Sequence, residues 1–118
     1  MTNRTANSVS AQITGKTRVF MVAGDPVDQV QAPAIFNRVF QKFNVDAVLV
    51  PVQVNPDRFV DFATTVLEAG NVDGLWITIP HKPKLMPFFN KIDAASQMSR
   101  SVNAVRRHQD GTLEGGMF

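Results

Sequence analysis

Trp76-Ile77-Thr78-Ile79-Pro80-His81-Lys82 reads as the end of a buried strand, a proline stop and then a lysine. The strand begins at Gly74 and runs to Ile79. Thr78 sits two residues before the stop and Lys82 two residues after it. In an open α/β sheet, ligands bind outside the carboxyl ends of the strands. That is where this pair falls.

Two strand–helix units precede this strand. Arg18 to Ala23 is a nearly continuous apolar run, the pattern of a parallel strand buried on both faces, and Gly24-Asp25-Pro26 breaks it. Ile35, Phe36, Val39, Phe40 and Phe43 then fall on one helical stripe. Pro33 suits the first turn of that helix, where a missing N–H costs nothing, and Asn44 suits a left-handed stop. Ala47 to Val52 is the second strand, and Pro51 within it places it at a sheet edge. Asn55-Pro56 is an N-cap followed by a first-turn proline. Phe59, Phe62, Ala63, Val66 and Leu67 form the next stripe, ended by Gly70. This alternation predicts a sheet that begins parallel.

The texture changes after Pro80. Pro83, Pro87 and Asp93 divide positions 81–99 into short helical pieces. Val102 to Arg107 and Thr112 to Gly115 flank Asp110-Gly111, which predicts an antiparallel hairpin with a two-residue turn. The expected fold is therefore α/β: a three-layer sandwich with a mixed, mostly parallel sheet and a C-terminal β-hairpin. The first sixteen residues, rich in Ser, Thr, Asn and Gln, are expected to form a mobile tail, with one domain over 17–118. The closing Gly115-Gly116-Met117-Phe118 reads as a stop in mid-strand, the expectation for a piece of something longer.

A chain of 118 residues with 44% hydrophobic content is of ordinary single-domain size. Its net charge of +2 implies neither a nucleic-acid nor a membrane partner. Arg106-Arg107-His108 has no interleaved aromatics and reads as a solvated strand face. The absence of cysteine excludes disulfides, thiolate chemistry and cysteine-held metals, and no metal is expected. With no apolar block of signal-peptide or membrane-span length, the expected compartment is the cytoplasm.

Asn103, in Ser101-Val102-Asn103-Ala104, is the third polar residue of interest. Taken one at a time, Thr78, Lys82 and Asn103 are a strand threonine, a surface lysine and a loop-tying asparagine. Taken in order with Gly24-Asp25-Pro26 and Asp110-Gly111-Thr112-Leu113, they resemble the N-terminal, substrate-binding domain of the shikimate dehydrogenase family. That family has a Gly-Asn-Pro loop after its first strand, an Asn-Val-Thr-x-Pro-x-Lys strand end and a Gly-Ala-Val-Asn-Thr hairpin entry. The likeness runs from about Val19 to Phe118.

The resemblance implies an oxidoreductase of aromatic amino acid biosynthesis type. It oxidises a ring hydroxyl with NADP or NAD, held by a second domain that this chain does not contain. Lys82 stands at the catalytic lysine, and Thr78 and Asn103 stand at ligands of substrate hydroxyls. An alcohol that gives up hydride must also lose its hydroxyl proton, which a neutral lysine amine can accept.

The departures matter equally. The family's Ser-x-Ser, which holds the substrate carboxylate, falls on Val30-Gln31-Ala32, and its strand-end asparagine falls on Trp76. The family's partner aspartate falls one position past Phe118, and Gly116 and Met117 replace the polar pair before it. The expected substrate is a polyhydroxylated or cyclic alcohol other than shikimate, with Gln31 the one side chain left to serve a carboxylate. No Gly-x-Gly-x-x-Gly lies between a strand and a helix, so this chain alone is expected to hold no cofactor and to be inactive. A homodimer is the expected assembly. The competing readings are a free-standing small-molecule binding or regulatory domain, and an assembly module.

Overall fold

A computed structural model describes residues 12–78, 91–94, 98 and 103–116. The valine-rich runs form β1 (Arg18–Gly24) and β2 (Ala47–Gln53), and the run before Thr78 forms β3 (Val72–Ile77). β1 pairs with both of the others in parallel, placing Phe20 beside Leu49 on one side and Gly74 on the other. β4 (Lys91–Ile92), β5 (Ala104–Arg107) and β6 (Leu113–Gly116) complete the sheet in the order β2-β1-β3-β5-β6-β4. The β3–β5 and β5–β6 pairings are antiparallel and the β4–β6 pairing is parallel, giving the mixed sheet expected. β2 is an edge strand, as Pro51 requires, since a proline has no N–H for a second neighbour.

Helix α1 (Ala32–Lys42) follows β1, with Pro33 in its first turn and Asn44 at φ 58° beyond its end. Helix α2 (Phe59–Val66) follows β2 through the short 3₁₀ turn Pro56–Arg58, whose cap is the Asn55 side chain accepting from the Asp57 N–H at 2.8 Å. The two helices lie on opposite faces of the sheet. α2 buries Phe59, Ala63 and Leu67 against Ala23, Val72, Leu75, Ile77 and Val105. Phe59 and Leu75, wholly enclosed there, contribute roughly 1.5–3 kcal/mol each. α1 places Phe36 and Phe40 over Trp76 and Phe20 on the other face. It is pinned to β2 by Asn37, whose amide exchanges two hydrogen bonds with the Leu49 backbone at 2.8 and 3.0 Å.

Four local expectations need correction. First, β3 begins at Val72 rather than Gly74 and ends at Ile77, and it carries a bulge. Val19 pairs with Val72 but Phe20 pairs with Gly74, leaving Asp73 as an extra residue. The bulge brings Val72 onto the same face as Leu75 and Ile77, which strict alternation forbids.

Second, α2 ends at Val66 and Gly70 has no positive φ, so no left-handed glycine closes this helix. The turn after it is instead clasped by two arginines. Arg107 donates to the Ala69, Gly70 and Val72 carbonyls at 3.2–3.3 Å, and Arg18 donates to Gly70 at 2.8 Å and pairs with Asp73. Arg107 is therefore no solvated strand residue. Arg106 and His108 instead converge on Glu114 Oε1, at 3.0 and 2.8 Å.

Third, the hairpin loop has three residues, not two. The Gly111 N–H donates to His108 and the His108 N–H to Thr112, both at 2.9 Å, with Gly111 at φ 90°. A two-residue type I′ turn needs positive φ at both central positions, and Asp110 has none. Asp110 instead accepts from the Thr112 N–H and hydroxyl, which hold its carboxyl below the usual range. Fourth, the region expected to be helical pieces contains β4, while Ala94 and Met98 in it are helical as expected. Of the expected tail, Thr14 and Lys16 lie in a turn fastened by Thr17, and residues 1–11 lie outside the described residues.

Two outcomes follow from this packing. A Cβ at Gly74 would sit 3.1 Å from both the Phe20 ring and the Val105 carbonyl oxygen. The ring can turn aside, but the carbonyl is fixed in the sheet. Gly74→Ala is expected to lower stability by about 1–3 kcal/mol in urea unfolding; an unchanged midpoint would show that the sheet opens there without cost.

The second outcome concerns acid. The Arg18 hydrogen bond holds the Asp73 carboxyl below its usual range. A carboxyl depressed on folding contributes stability above its unfolded value and loses it as pH falls through the folded one. The urea midpoint should therefore drop as pH falls below about 4, and Asp73→Asn should flatten that drop. An equally steep acid limb in the variant would assign the loss to other carboxylates.

Candidate active site

The carboxyl ends of β1 and β3 meet the start of β5 and the end of β6 at one edge of the sheet. Three backbone hydrogen bonds of 2.9 Å tie this edge together: Thr78 N–H to Ala23, Ile77 N–H to Asn103, and Asn103 N–H to Gly116. Thr78 and Asn103 are thus held on adjacent chains, each half-buried. A further bond of 2.9 Å, from the Val54 N–H to Gly24, fixes the start of the loop after β1.

That loop begins with a cis Asp25–Pro26 peptide and ends at α1. Val30 turns back to donate to Val27 at 3.1 Å, Gln31 is the N-cap residue and Ala32 opens the helix. Val30 and Ala32 are half-buried. Gln31 is exposed and makes no side-chain cap bond, so its amide is not consumed by the helix. Lys82 lies outside the described residues, as do Ile79, Pro80 and His81.

Trp76 lies two residues before Thr78 on the α1 face. Its ring centroid is 4.9 Å from that of Phe36 and 5.9 Å from that of Phe20, and Phe20 lies 6.0 Å from Phe40. Four rings therefore run from α1 to β3. Phe36 is one turn beyond Ala32, on the same helical stripe. Of the departures from the family pattern, Trp76 thus meets the helix that Ala32 opens. Sequence reading assigned Phe36 only to a core stripe; its four-residue spacing from Ala32 was the available signal. Beside Trp76 opens a groove of about 490 Å³, lined by Phe20, Phe36, Gly74, Ala104, Arg106 and Glu114 among others.

A dinucleotide has no evident seat here. The loop between β1 and α1 has one glycine, Gly24, and Pro33 removes a first-turn N–H that a pyrophosphate would use. Among the described residues no cluster of His, Asp and Glu could hold a metal ion, and no helix is long and apolar enough to cross a membrane.

Comparison with known proteins agrees with this architecture. The shikimate dehydrogenase substrate binding domain family matches residues 22–105. A shikimate dehydrogenase (NADP(+)) of Gloeothece citriformis is 38% identical over 101 residues, covering 84% of this chain and 34% of that protein. The chain thus spans about a third of the length of the curated relatives it matches. A shikimate dehydrogenase of Listeria monocytogenes, solved with shikimate and NAD, superposes with a TM-score of 0.82 at 25% identity, over 89% of this chain and 36% of that one. A ligand-free 5-ketofructose reductase of a Gluconobacter species shares the fold, with a TM-score of 0.81 at 18% identity over 88% and 37% of the two chains.

Trp76 is the chain's single tryptophan, and there is no tyrosine, so indole emission reports this wall alone. Phe36→Ala should shift the emission of Trp76 to the red by admitting water to the ring. An unchanged spectrum would show that Phe36 does not shield it.

Proposed function

This chain belongs to the shikimate dehydrogenase family, as its substrate-binding domain, and from that premise we propose that the full-length protein is an NAD(P)-dependent oxidoreductase acting on a ring hydroxyl of a substrate other than shikimate. The observation that carries the second half is the Phe36–Trp76 ring contact, with Trp76 where the family pattern has an amide, together with Ala32 at the start of the same helix where it has a hydroxyl. A site that bonds a polar substrate group discriminates strongly for it, and alkyl or aromatic side chains cannot supply those bonds. Thr78 and Asn103 support the other half. They share the strand-end edge, where they can hold ring hydroxyls.

In this reading a nicotinamide dinucleotide, held outside these residues, would supply the hydride acceptor. The hydroxyl proton passes to the neutral Lys82 amine, and the alcohol becomes a ketone. Lys82 is the catalytic residue; Thr78, Asn103 and Gln31 orient the ring, and Val30, Ala32 and Trp76 limit what fits. The relatives bear the name of NADP(+) enzymes, which supports NADP as the acceptor.

Kinetics of the full-length protein test the proposal. Lys82→Ala should lower turnover by roughly two to four decades with any substrate, as loss of a general base does, while ligand binding persists. Binding without turnover in the wild type would favour the non-catalytic binding-domain reading instead. Two charged-partner hydrogen bonds of roughly 1.5–3 kcal/mol each are missing for a carboxylate, so shikimate should be oxidised about two to four decades less efficiently than the true substrate. Val30→Ser with Ala32→Ser should recover part of that difference. Shikimate turnover at ordinary efficiency in the wild type would show that another group, such as Gln31, holds the carboxylate.

A further inference from the structure

We propose that the substrate is uncharged at the end that enters between α1 and β3 and lies with its ring face on Trp76, which makes it a neutral cyclic polyol or the corresponding cyclic ketone. The inference rests on the reading above for where the ring binds, and on the groove itself for its chemistry.

Trp76 is a fixed wall rather than a mobile flap. Phe36 and Phe20 contact it from two elements, and Phe40 backs Phe20, so the indole is packed on two sides. The floor beside it is flat because Gly74 has no side chain, and a Cβ there would meet Phe20 and the Val105 carbonyl oxygen at 3.1 Å. The resulting groove, about 490 Å³, is of small-molecule size and mostly apolar in its lining.

Its charges compensate each other. Among the described residues lining the groove, Arg106 and Glu114 are the ionic pair, and they bond each other at 3.0 Å. His108 adds a second bond to the same Glu114 oxygen at 2.8 Å. The pair leaves no net positive charge in the groove, and Arg106, 68% exposed, keeps its remaining donors in water. The indole offers one donor and no acceptor, and Val30 and Ala32 offer neither. A carboxylate pressed against this wall would lose its water without replacement, a cost that a hydroxymethyl, carbonyl or hydrogen does not incur to the same degree. The apolar C–H face of a neutral ring packs on the indole, and its hydroxyls turn outward to Thr78, Asn103 and the Gln31 amide.

The emission difference between full-length protein and its Trp76→Phe variant tests this directly, since Trp76 is the one tryptophan of this domain. Full-length protein would be titrated with shikimate, with methyl shikimate, which keeps the ring and removes the charge, and with a carboxylate-free cyclitol. The two neutral probes should perturb Trp76 at concentrations at least about tenfold below shikimate, the factor set by one unmade charged hydrogen bond. Phe36→Ala should weaken the neutral probes and leave the order of the three unchanged. Shikimate binding as tightly as its ester, or no perturbation of Trp76 by any probe, would overturn the inference. The two readings fail separately. Lys82-dependent turnover of a carboxylate-bearing ring other than shikimate, with no preference for neutral rings, would sink only this inference. A neutral preference with turnover indifferent to Lys82→Ala would sink only the catalytic assignment.

Discussion

Strand β1 is hydrogen-bonded along both edges, to β2 and to β3, and runs parallel to each. Parallel pairing forces the carboxyl ends of three strands to one edge, where their loops must begin. β5 is antiparallel to β3, so its starting residue arrives at that same edge. The juxtaposition of Thr78 with Asn103, 25 positions later in the chain, follows from these directions and from the 2.9 Å bond between Ile77 and Asn103. Without β1 in the centre neither β3 nor the hairpin would have a frame to hold this edge.

The two faces of the sheet are finished differently. The α2 face is closed: Phe59, Ala63 and Leu67 meet strand residues that are at most 5% exposed. The α1 face is open beyond β3. Ile35, Val39 and Phe43 stay 40–67% exposed, and the groove lies between the Phe36–Trp76 contact and the hairpin. Among the described residues, the α2 face supplies most of the apolar burial, and the α1 face keeps its apolar side chains partly exposed.

Polar contacts at the opposite edge hold the frame in place. Arg18 and Arg107, from strands on either side of β3, share the carbonyls of the turn that leads into it, and the Asp73 bulge supplies the counter-charge for Arg18. A bulged residue makes no ladder pair, so its side chain is free to serve as that anchor. Glu114 plays a comparable part on the hairpin: His108 first and Arg106 second hold its carboxyl below the usual range, so it is charged and engaged at neutral pH.

The sequence alone determined the types and order of β1, α1, β2, α2, β3 and the two hairpin strands, though not β4, along with the edge position of β2 and the strand-end location of Thr78, because each follows from a local period or from the missing N–H of Pro51. It also singled out Val30, Ala32 and Trp76 as departures, because a motif is read position by position. Only the tertiary structure decided that Trp76 meets Phe36 of α1, that Asp73 bulges to bring Val72 into the core, that Arg107 clasps the turn before β3, and that the Asp110-Gly111 loop has a third residue. The physical reason is the same in each case. These outcomes rest on contacts between elements, such as Arg18 with Asp73 55 positions away, or on a loop geometry that two sequence-compatible turns could satisfy. Periodicity fixes which side a residue faces on its own element, but the partner it meets there is set by register and packing density, which emerge only when the whole sheet is assembled.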